Sequence, residues 1–313
     1  MSASESPRLD RRALIAVAIT LALWAVAFVS IRVAAHDYHP GAMGLGRMLV
    51  AALVLLAILL IRREGLPPRS AWPGIIFSGV LWFGAYMVVL PWGEQLVDAG
   101  TAALVVNVGP ILMAVLGGWL LKEGFAPRLF AGLAVSFVGA AVVGWSTSSG
   151  SGASVLGVVL CLAAAVCYAA GVVSQKPVLK SASPLQATTF GAIVGAVACL
   201  PFSGQLVSDV VSAPMSSTLN VVFLGVFPTA LAFTTWFYAL ARMPAGRLGA
   251  TTYIVPAVVV LVSWIALSEV PGPWAFVGGA LCLAGVAVSR SRFTLRRNRT
   301  PEPVLAATGA DDA

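Results

Sequence analysis

Long apolar runs alternate with short polar connections along most of the chain. Each run is about 20 residues long, the length that an α-helix needs to cross the hydrocarbon core of a bilayer. Ten such runs occur, at roughly residues 13–32, 41–61, 72–91, 99–121, 127–146, 154–174, 185–201, 218–239, 247–267 and 273–289. The longest connection, about 202–217, is too small for a separate domain. The pattern predicts an all-α integral membrane protein with ten transmembrane helices.

The two ends of the chain differ from its apolar body. Residues 1–12 are polar and place arginines ahead of the first run, as a secretory signal peptide does. A signal peptide has an apolar core of about 7–15 residues, whereas this run has about 19 and is long enough to span. We therefore expect an uncleaved first helix. Residues 290–313 are basic and then rich in Pro, Ala and Asp, which predicts a disordered tail.

Lysine and arginine are distributed unevenly between the connections. If the N-terminus is cytoplasmic, all 19 basic residues except Arg32 and Arg47 fall on cytoplasmic segments. Cytoplasmic loops of membrane proteins carry such an excess of Lys and Arg. The distribution therefore predicts that both termini are cytoplasmic and that the number of helices is even.

The composition fits a chain solvated mostly by lipid. It is 59% hydrophobic and 10% charged, against roughly 25% charged residues in a soluble protein. The net charge of +7 does not indicate a nucleic-acid partner, because the basic residues lie between apolar runs. The four cysteines are inside apolar runs without metal-ligand spacing, so we expect buried apolar side chains, no metal site and no cofactor. They are Cys161, Cys167, Cys199 and Cys282.

An internal repeat divides the chain into two halves, 13–146 and 154–289. Shifting the chain by 146 residues places Pro110, Glu123 and Pro127 on Pro256, Glu269 and Pro273. A shift of 144 places Trp24 on Tyr168. Each half contains an odd number of predicted spans, so the halves must have opposite orientations in the membrane. Inverted repeats of this kind, here two sets of five helices, are typical of transporters.

The ordered motifs of both halves resemble the EamA-type transporters of the drug/metabolite transporter superfamily. The resemblance is carried by Trp24 to Arg32, Pro40, Arg47, Ala99 to Leu104, Pro110 and Glu123, and then by Thr229 to Leu240, Met243 to Ala245, Pro256, Leu267 to Glu269 and Gly278 to Val286. Two positions depart from the family pattern: Arg32 replaces a frequent Lys, and Tyr168 a usual Trp. The tryptophan-rich first half is similar to the branch that exports aromatic and other amino acids. The resemblance implies a transporter of the bacterial inner membrane rather than an enzyme.

The resemblance also implies that helices 1, 3, 4, 6, 8 and 9 line a central cavity. The polar and aromatic residues on these helices are candidates for substrate binding, namely Trp24, Trp82, Tyr86, Asn107, Tyr168, Trp236 and Tyr253. Aromatic rings give broad contact and stack on aromatic or cationic solutes. Trp24 and Tyr86 suit either a cavity wall or core packing. The amide of Asn107 needs a partner, from the substrate or from a neighbouring helix.

Three more residues inside the spans allow two interpretations each. Pro110 and Pro256 each remove a backbone hydrogen bond in mid-span, which predicts either a hinge or a static kink. Arg47, about two turns into helix 2, either extends outward to the interface or attracts a carboxylate.

Acidic residues are expected only in loops, tails and helix ends, with Glu94 and Asp98 in the turn between helices 3 and 4. Proton relays commonly use an acid held inside the membrane. The pattern therefore predicts that transport is not driven through a buried carboxylate.

These features together predict a transporter that exports amino acids and related small metabolites by alternating access, by facilitated diffusion or driven by a gradient. An aromatic wall also suits cationic drugs, so a multidrug efflux transporter is the alternative. A membrane enzyme would need a set of catalytic groups. His36, Asp37 and His39 share one outer loop but have no evident distant partner. The expected partners are a small-molecule substrate and the lipid bilayer, and the sequence leaves the substrate range, energy coupling and oligomeric state open.

Overall fold

The computed structural model describes residues 11–120, 130–132, 134–139, 142, 155–242, 248, 251–268 and 272–290. Within these ranges the chain forms helices and turns and no strand. The helices are α1 Arg11–Ala34, α2 Pro40–Ile61, α3 Arg69–Leu96, α4 Ala99–Leu120, α5 Phe130–Gly139, α6 Val155–Val178, α7 Pro184–Ala198, α8 Ser203–Ser212, α9 Met215–Arg242, α10 Val255–Leu267 and α11 Pro273–Arg290. Residues 1–10 and 291–313, which hold most of the predicted tails, lie outside the described residues.

Six of the described helices are long and apolar enough to cross a membrane by themselves: α1, α2, α3, α4, α6 and α9. Helix α7 passes the same test together with α8, from which it is bent by 53°. Helices α5, α10 and α11 carry shorter apolar segments. Every predicted run overlaps one of these helices, but the short segments do not establish spans, so the total of ten stays a prediction.

The outer surface of the helices is strongly apolar. Leu53 is 68% exposed, Ile61 80% and Ile265 73%. A soluble monomer rarely presents large contiguous apolar patches to water. The arrangement fits a protein whose helices are surrounded by lipid chains.

The two ends of the bundle are named here after one residue each. The His39 end carries the turn at 35–39, and the Arg62 end carries the connection at 62–68. The connection at 202–217 was predicted as a loop, but most of it is helix α8, at the His39 end. This helix is held by Asp209, which is 3% exposed and accepts a hydrogen bond of 2.8 Å from the backbone N–H of His39. A short polar sequence therefore folds as a helix because a neighbouring turn fixes its buried carboxylate.

Small residues bring α5 and α11 into close contact. A Cβ atom on Gly139 would lie 2.5 Å from the carbonyl oxygen of Gly278, and one on Gly285 would lie 2.4 Å from that of Gly132. Larger side chains at these positions would therefore push the helices apart. The contacts pair falling residue numbers on α5 with rising numbers on α11, so the two helices are antiparallel.

One short π-helical segment interrupts a long helix in each half. The two segments are Gly79–Ala85 in α3 and Gly225–Leu231 in α9, and they start 146 residues apart, the same shift that relates the sequence repeats. A wider turn of this kind is rare and rotates the side chains that follow it. Trp82 lies in the first segment and Thr229 in the second, and both face the centre of the bundle, where they are buried.

Candidate solute cavity

A cavity of about 60 Å³ lies near the centre of the bundle. It has room for several water molecules. Helices α1 and α3 contribute residues from the portions nearer the His39 end. The cavity is lined by Trp24, Ala27, Phe28, Ile31, Arg47, Trp82, Tyr86, Leu90, Ala103, Val106, Asn107, Tyr168, Phe233, Thr252, Val255 and Pro256. Its wall therefore combines residues from both repeats.

One continuous group of rings lies at the cavity, where five of its members form the aromatic wall and Phe83, Trp236 and Phe237 lie behind them. This aromatic cluster consists of Trp24, Trp82, Phe83, Tyr86, Tyr168, Phe233, Trp236 and Phe237. The repeat-related residues Trp24 and Tyr168 meet directly, with ring centroids 6.2 Å apart and planes at 90°. Trp82 lies 4.6 Å from Phe233. The first pair is edge-to-face and the second is tilted at 51°, and edge-to-face contacts are favourable arrangements of aromatic rings.

Most of the predicted binding residues meet in this place. Trp24, Trp82, Tyr86, Asn107 and Tyr168 all line the cavity. Trp236 lies just behind the wall, 1% exposed, with its ring 4.8 Å from that of Trp24. The side chain of Tyr253 lies outside the described residues. Phe233 lines the cavity but was not predicted, although it sits in the motif from Thr229 to Leu240 that marked α9.

Asn107 occupies a break in the middle of α4. The helical segments Ala99–Val106 and Gly109–Leu120 flank it, and it is 6% exposed. No described residue accepts a hydrogen bond from its amide nitrogen. An unsatisfied donor at this depth costs free energy unless another group, such as a solute, meets it.

Both predicted hinge prolines begin a helical segment, where the sequence predicted interior positions. Pro110 is the second residue of Gly109–Leu120, and Pro256 stands in the first turn of α10, just after the 3₁₀ turn Thr252–Ile254. In a first turn the missing N–H leaves no hydrogen bond broken, so neither proline kinks a continuous helix. Pro256 lines the cavity, whereas Pro110 is buried in the packing behind it.

Arg47 points into the cavity, so the interpretation that it extends outward to the interface is wrong. Its side chain lines the cavity, and the residue is 4% exposed. Its Nε donates a hydrogen bond of 2.6 Å to Oγ1 of Thr229, which donates in turn to the carbonyl oxygen of Leu224 at 2.8 Å. The direction of the side chain is thus set by α9, a helix of the other repeat.

Glu94 contradicts the expectation that no acid is buried. It lies in α3 rather than in a turn, and it is fully buried. Its charge is close enough to act on Arg47 and on Tyr86. The side-chain amide of the neighbouring Gln95 donates to the carbonyl oxygens of Ala35 and Tyr38, both at 3.1 Å, which holds this end of α3 against the turn at 35–39. The prediction against a buried carboxylate therefore fails at its premise.

The described part of the chain does not bring together the ligands that a metal site needs. No group of three or more His, Cys, Asp or Glu residues is placed to hold a metal ion there. The four cysteines are unpaired thiols within the same residues. The cavity instead offers one guanidinium, several rings and an amide, which suit the binding of a small organic solute.

Comparison with known proteins gives one consistent family. The EamA-like transporter family matches residues 11–145 and 155–291, one copy in each half of the chain. A probable terminal-alkyne amino-acid exporter of Streptantibioticus cattleyicolor is 34% identical over 93% of this chain and 98% of its own length. A probable amino-acid metabolite efflux pump of Salmonella typhimurium is 23% identical over 89% of this chain and 95% of its own length.

A solved crystal structure shares the fold, with a TM-score of 0.62 and 22% identity over 89% of this chain and 97% of that one. The family match extends over nearly all described helices, and it agrees with their apolar, lipid-facing surface. This chain is an integral membrane protein that belongs to the EamA-like transporter family.

Proposed function

We propose that this protein exports amino acids and related small metabolites across the bacterial inner membrane by alternating access. The observation that carries the proposal is a central cavity, built from both repeats, that combines a buried guanidinium with an aromatic wall. An amino acid with an apolar side chain presents the matching groups. Two similar proteins, a probable terminal-alkyne amino-acid exporter and a probable amino-acid metabolite efflux pump, support the same class of solute.

The contacts between the halves support an inverted arrangement. The packing of Gly79 on α7 repeats at Gly225 on α2, where a Cβ atom would lie 2.9 Å from the carbonyl oxygen of Arg47. Repeated contacts of this kind are expected where a two-fold axis relates two units. The antiparallel course of α5 and α11 supports an axis that runs across the helices rather than along them. Five spans in each half would then give ten helices in two inverted sets.

The size of the cavity supports a moving transporter rather than a fixed pore. A volume of about 60 Å³ holds a few waters but is tight for an amino acid. We therefore expect the helices to separate when an amino acid binds. The broken segments in α4 and before α10 place backbone breaks beside the cavity, as transporters commonly do near the membrane midplane.

The charges at the two ends support an orientation of the protein in the membrane. The Arg62 end carries Arg62, Arg63, Lys180 and Arg242, and such an excess of basic residues favours the cytoplasmic side. The cavity residues nearer the His39 end then face the outside. Because Glu94 is buried beside this cavity, coupling to protons becomes a testable alternative to facilitated diffusion.

Transport by purified protein in liposomes tests the proposal. Vesicles loaded with labelled phenylalanine, tryptophan, leucine or threonine should lose label faster than vesicles that contain the Asn107→Ala and Trp24→Ala double variant. Repeating the assay with an imposed pH gradient, and with Glu94→Gln, separates proton coupling from facilitated diffusion. Protein that reconstitutes in folded form and moves none of these amino acids would contradict the proposal.

Efflux of cationic compounds is the second candidate, and the same assay tests it. The aromatic cluster favours organic cations. However, the charged side chain that lines the cavity is Arg47, which repels them. We therefore expect ethidium and tetraphenylphosphonium to move more slowly than the aromatic amino acids.

A further inference from the structure

We propose that Arg47 is the anion-binding residue of the cavity and that the transported solutes present a carboxylate to it. The inference deepens the proposed function, and it rests on that function for the assignment of amino acids as the solutes.

The guanidinium of Arg47 keeps hydrogen-bonding capacity on the side that faces the cavity. Its Nε is occupied by Thr229. Its two terminal nitrogens donate to no described residue, yet neither belongs to the fully enclosed polar atoms without partners. Both are therefore reachable from the open space that Arg47 lines. Two adjacent donors in one plane match the two oxygens of a carboxylate.

The position also lacks a direct counter-charge. Within the described part of the chain no carboxylate forms an ion pair with Arg47, although Glu94 acts on it from a longer distance. A charged side chain inside a membrane is costly unless a partner group compensates it. A solute carboxylate supplies that partner, whereas a solute cation at the same place adds repulsion.

The repeat lacks a second copy of this site. The position of Arg47 corresponds to Gly191, and the position of Thr229 corresponds to Phe83. These two residues also meet: a Cβ atom on Gly191 would lie 2.9 Å from the ring of Phe83. One half thus contributes a cation with its hydrogen-bonded partner, and the other contributes a ring at the matching place.

This asymmetry gives the bound solute a direction. The carboxylate lies toward Arg47, nearer the His39 end. The apolar side chain lies against the rings of Trp24, Trp82 and Phe233, and Trp24 and Phe233 are 5.7 Å apart. Solutes that lack a carboxylate lose the first contact but keep the second.

A structural role is the competing explanation, in which Arg47 only balances the charge of Glu94. The two explanations predict different behaviour of variants. If Arg47 only balances Glu94, the double variant Arg47→Gln with Glu94→Gln regains both stability and transport. If Arg47 binds the carboxylate, the double variant regains stability but still fails to distinguish acids from amides.

The test compares matched solutes on wild type, Arg47→Gln, Arg47→Lys, the double variant and Arg62→Gln, an exposed arginine beyond the other end of the same helix. Efflux of phenylalanine is measured beside that of phenylalaninamide and phenethylamine in proteoliposomes. We expect Arg47→Gln to slow phenylalanine by roughly 10- to 100-fold, the range for hydrogen bonds to a charged group, and to change the two analogues by less than about 3-fold. Arg47→Lys should keep part of the preference, and Arg62→Gln all of it.

A ligand-binding experiment tests the inference even if no amino acid is transported. Benzoate and benzyl alcohol are added to detergent-purified protein, and the melting temperature is measured. Benzoate should raise it in wild type and Arg62→Gln but not in Arg47→Gln, and benzyl alcohol should not distinguish them. Equal loss of all three solutes in Arg47→Gln, or an equal benzoate effect with and without Arg47, would overturn the inference. Failure of wild type to move any amino acid, with the benzoate effect intact, would overturn only the proposed solute class.

Discussion

Ser136 and Cys282 are repeat-related residues that bond to each other. Oγ of Ser136 donates to the carbonyl oxygen of Cys282 at 2.9 Å, and Sγ of Cys282 donates to the carbonyl oxygen of Ser136 at 3.3 Å, across a separation of 146 residues. A residue can contact its own equivalent only next to the axis that relates the two units. The pair therefore gives the proposed two-fold relation a specific location, between α5 and α11.

The first prediction concerns the glycines beside this pair. Gly139→Val and Gly285→Val each force a side chain into the carbonyl of the facing helix, so each should lower the unfolding free energy by about 1–3 kcal/mol, as overpacking does. Because the contacts are related by the repeat, the two losses should be similar. Thermal unfolding in detergent measures them. Gly65→Val, where a Cβ atom meets nothing within 4 Å, is the control. A large loss at one glycine and none at the other would contradict the symmetric packing.

The second prediction concerns the aromatic wall. Trp24→Ala removes a ring that contacts four others in the aromatic cluster, so efflux of aromatic amino acids should fall about tenfold, equivalent to one or two aromatic contacts. Trp24→Phe should keep most of the rate. The matched control is Trp264→Ala on α10, whose ring is 59% exposed on the lipid side. If the two alanine variants lose transport equally, the wall has no special part in binding.

Two hydrogen-bonded contacts close opposite ends of the bundle, and they too are related by the repeat. His39 bonds to Asp209 at one end, with Nδ1 and Oδ1 2.8 Å apart, and Ser183 donates to the carboxylate of Glu64 at the other. His39 and Ser183 each precede the proline that begins a helix, and each acid belongs to the opposite half. Alternating access requires that such contacts break at one end at a time.

The third prediction follows from these closures. Asp209→Asn should loosen the His39 end and make Ile31→Cys, at the cavity wall, react roughly 3- to 10-fold faster with an impermeant thiol reagent added outside. Glu64→Gln loosens the other end and should leave that rate unchanged or lower. The measurement uses a background without native cysteines. Equal acceleration by both variants would mean that the closures do not act on separate sides.

Every run predicted from the sequence overlaps a described helix, because the signal for an apolar helix is local. About 20 consecutive apolar residues predict a membrane-spanning helix. The shift of 144 residues aligns Trp24 with Tyr168 in the sequence, and these two rings are in contact in the structure. The inward direction of Arg47 could not be read in this way, since it depends on Thr229 in another helix, 182 residues away.

Glu94 and α8 escaped prediction for a related reason. Glu94 lies two residues before the end of α3, where the local pattern predicts exposure, and contacts between distant segments of the chain bury it. The sequence of α8 is typical of a polar loop. In the structure the buried carboxylate of Asp209 ties this segment to the backbone N–H of His39. Charged residues near helix ends are thus the positions where tertiary contacts, rather than local pattern, decide the environment.

The central claim is that two inverted halves enclose one cavity, and the side of the membrane reached by two equivalent residues tests it most directly. Arg69 begins α3 and Met215 begins α9, 146 residues later in the repeat, and both are exposed. In a background without native cysteines, Arg69→Cys and Met215→Cys are treated with an impermeant thiol reagent, in intact and in permeabilised cells. Inverted halves predict that only Met215→Cys reacts in intact cells and that both react after permeabilisation. Reaction of both residues from the same side would show parallel halves and contradict the account.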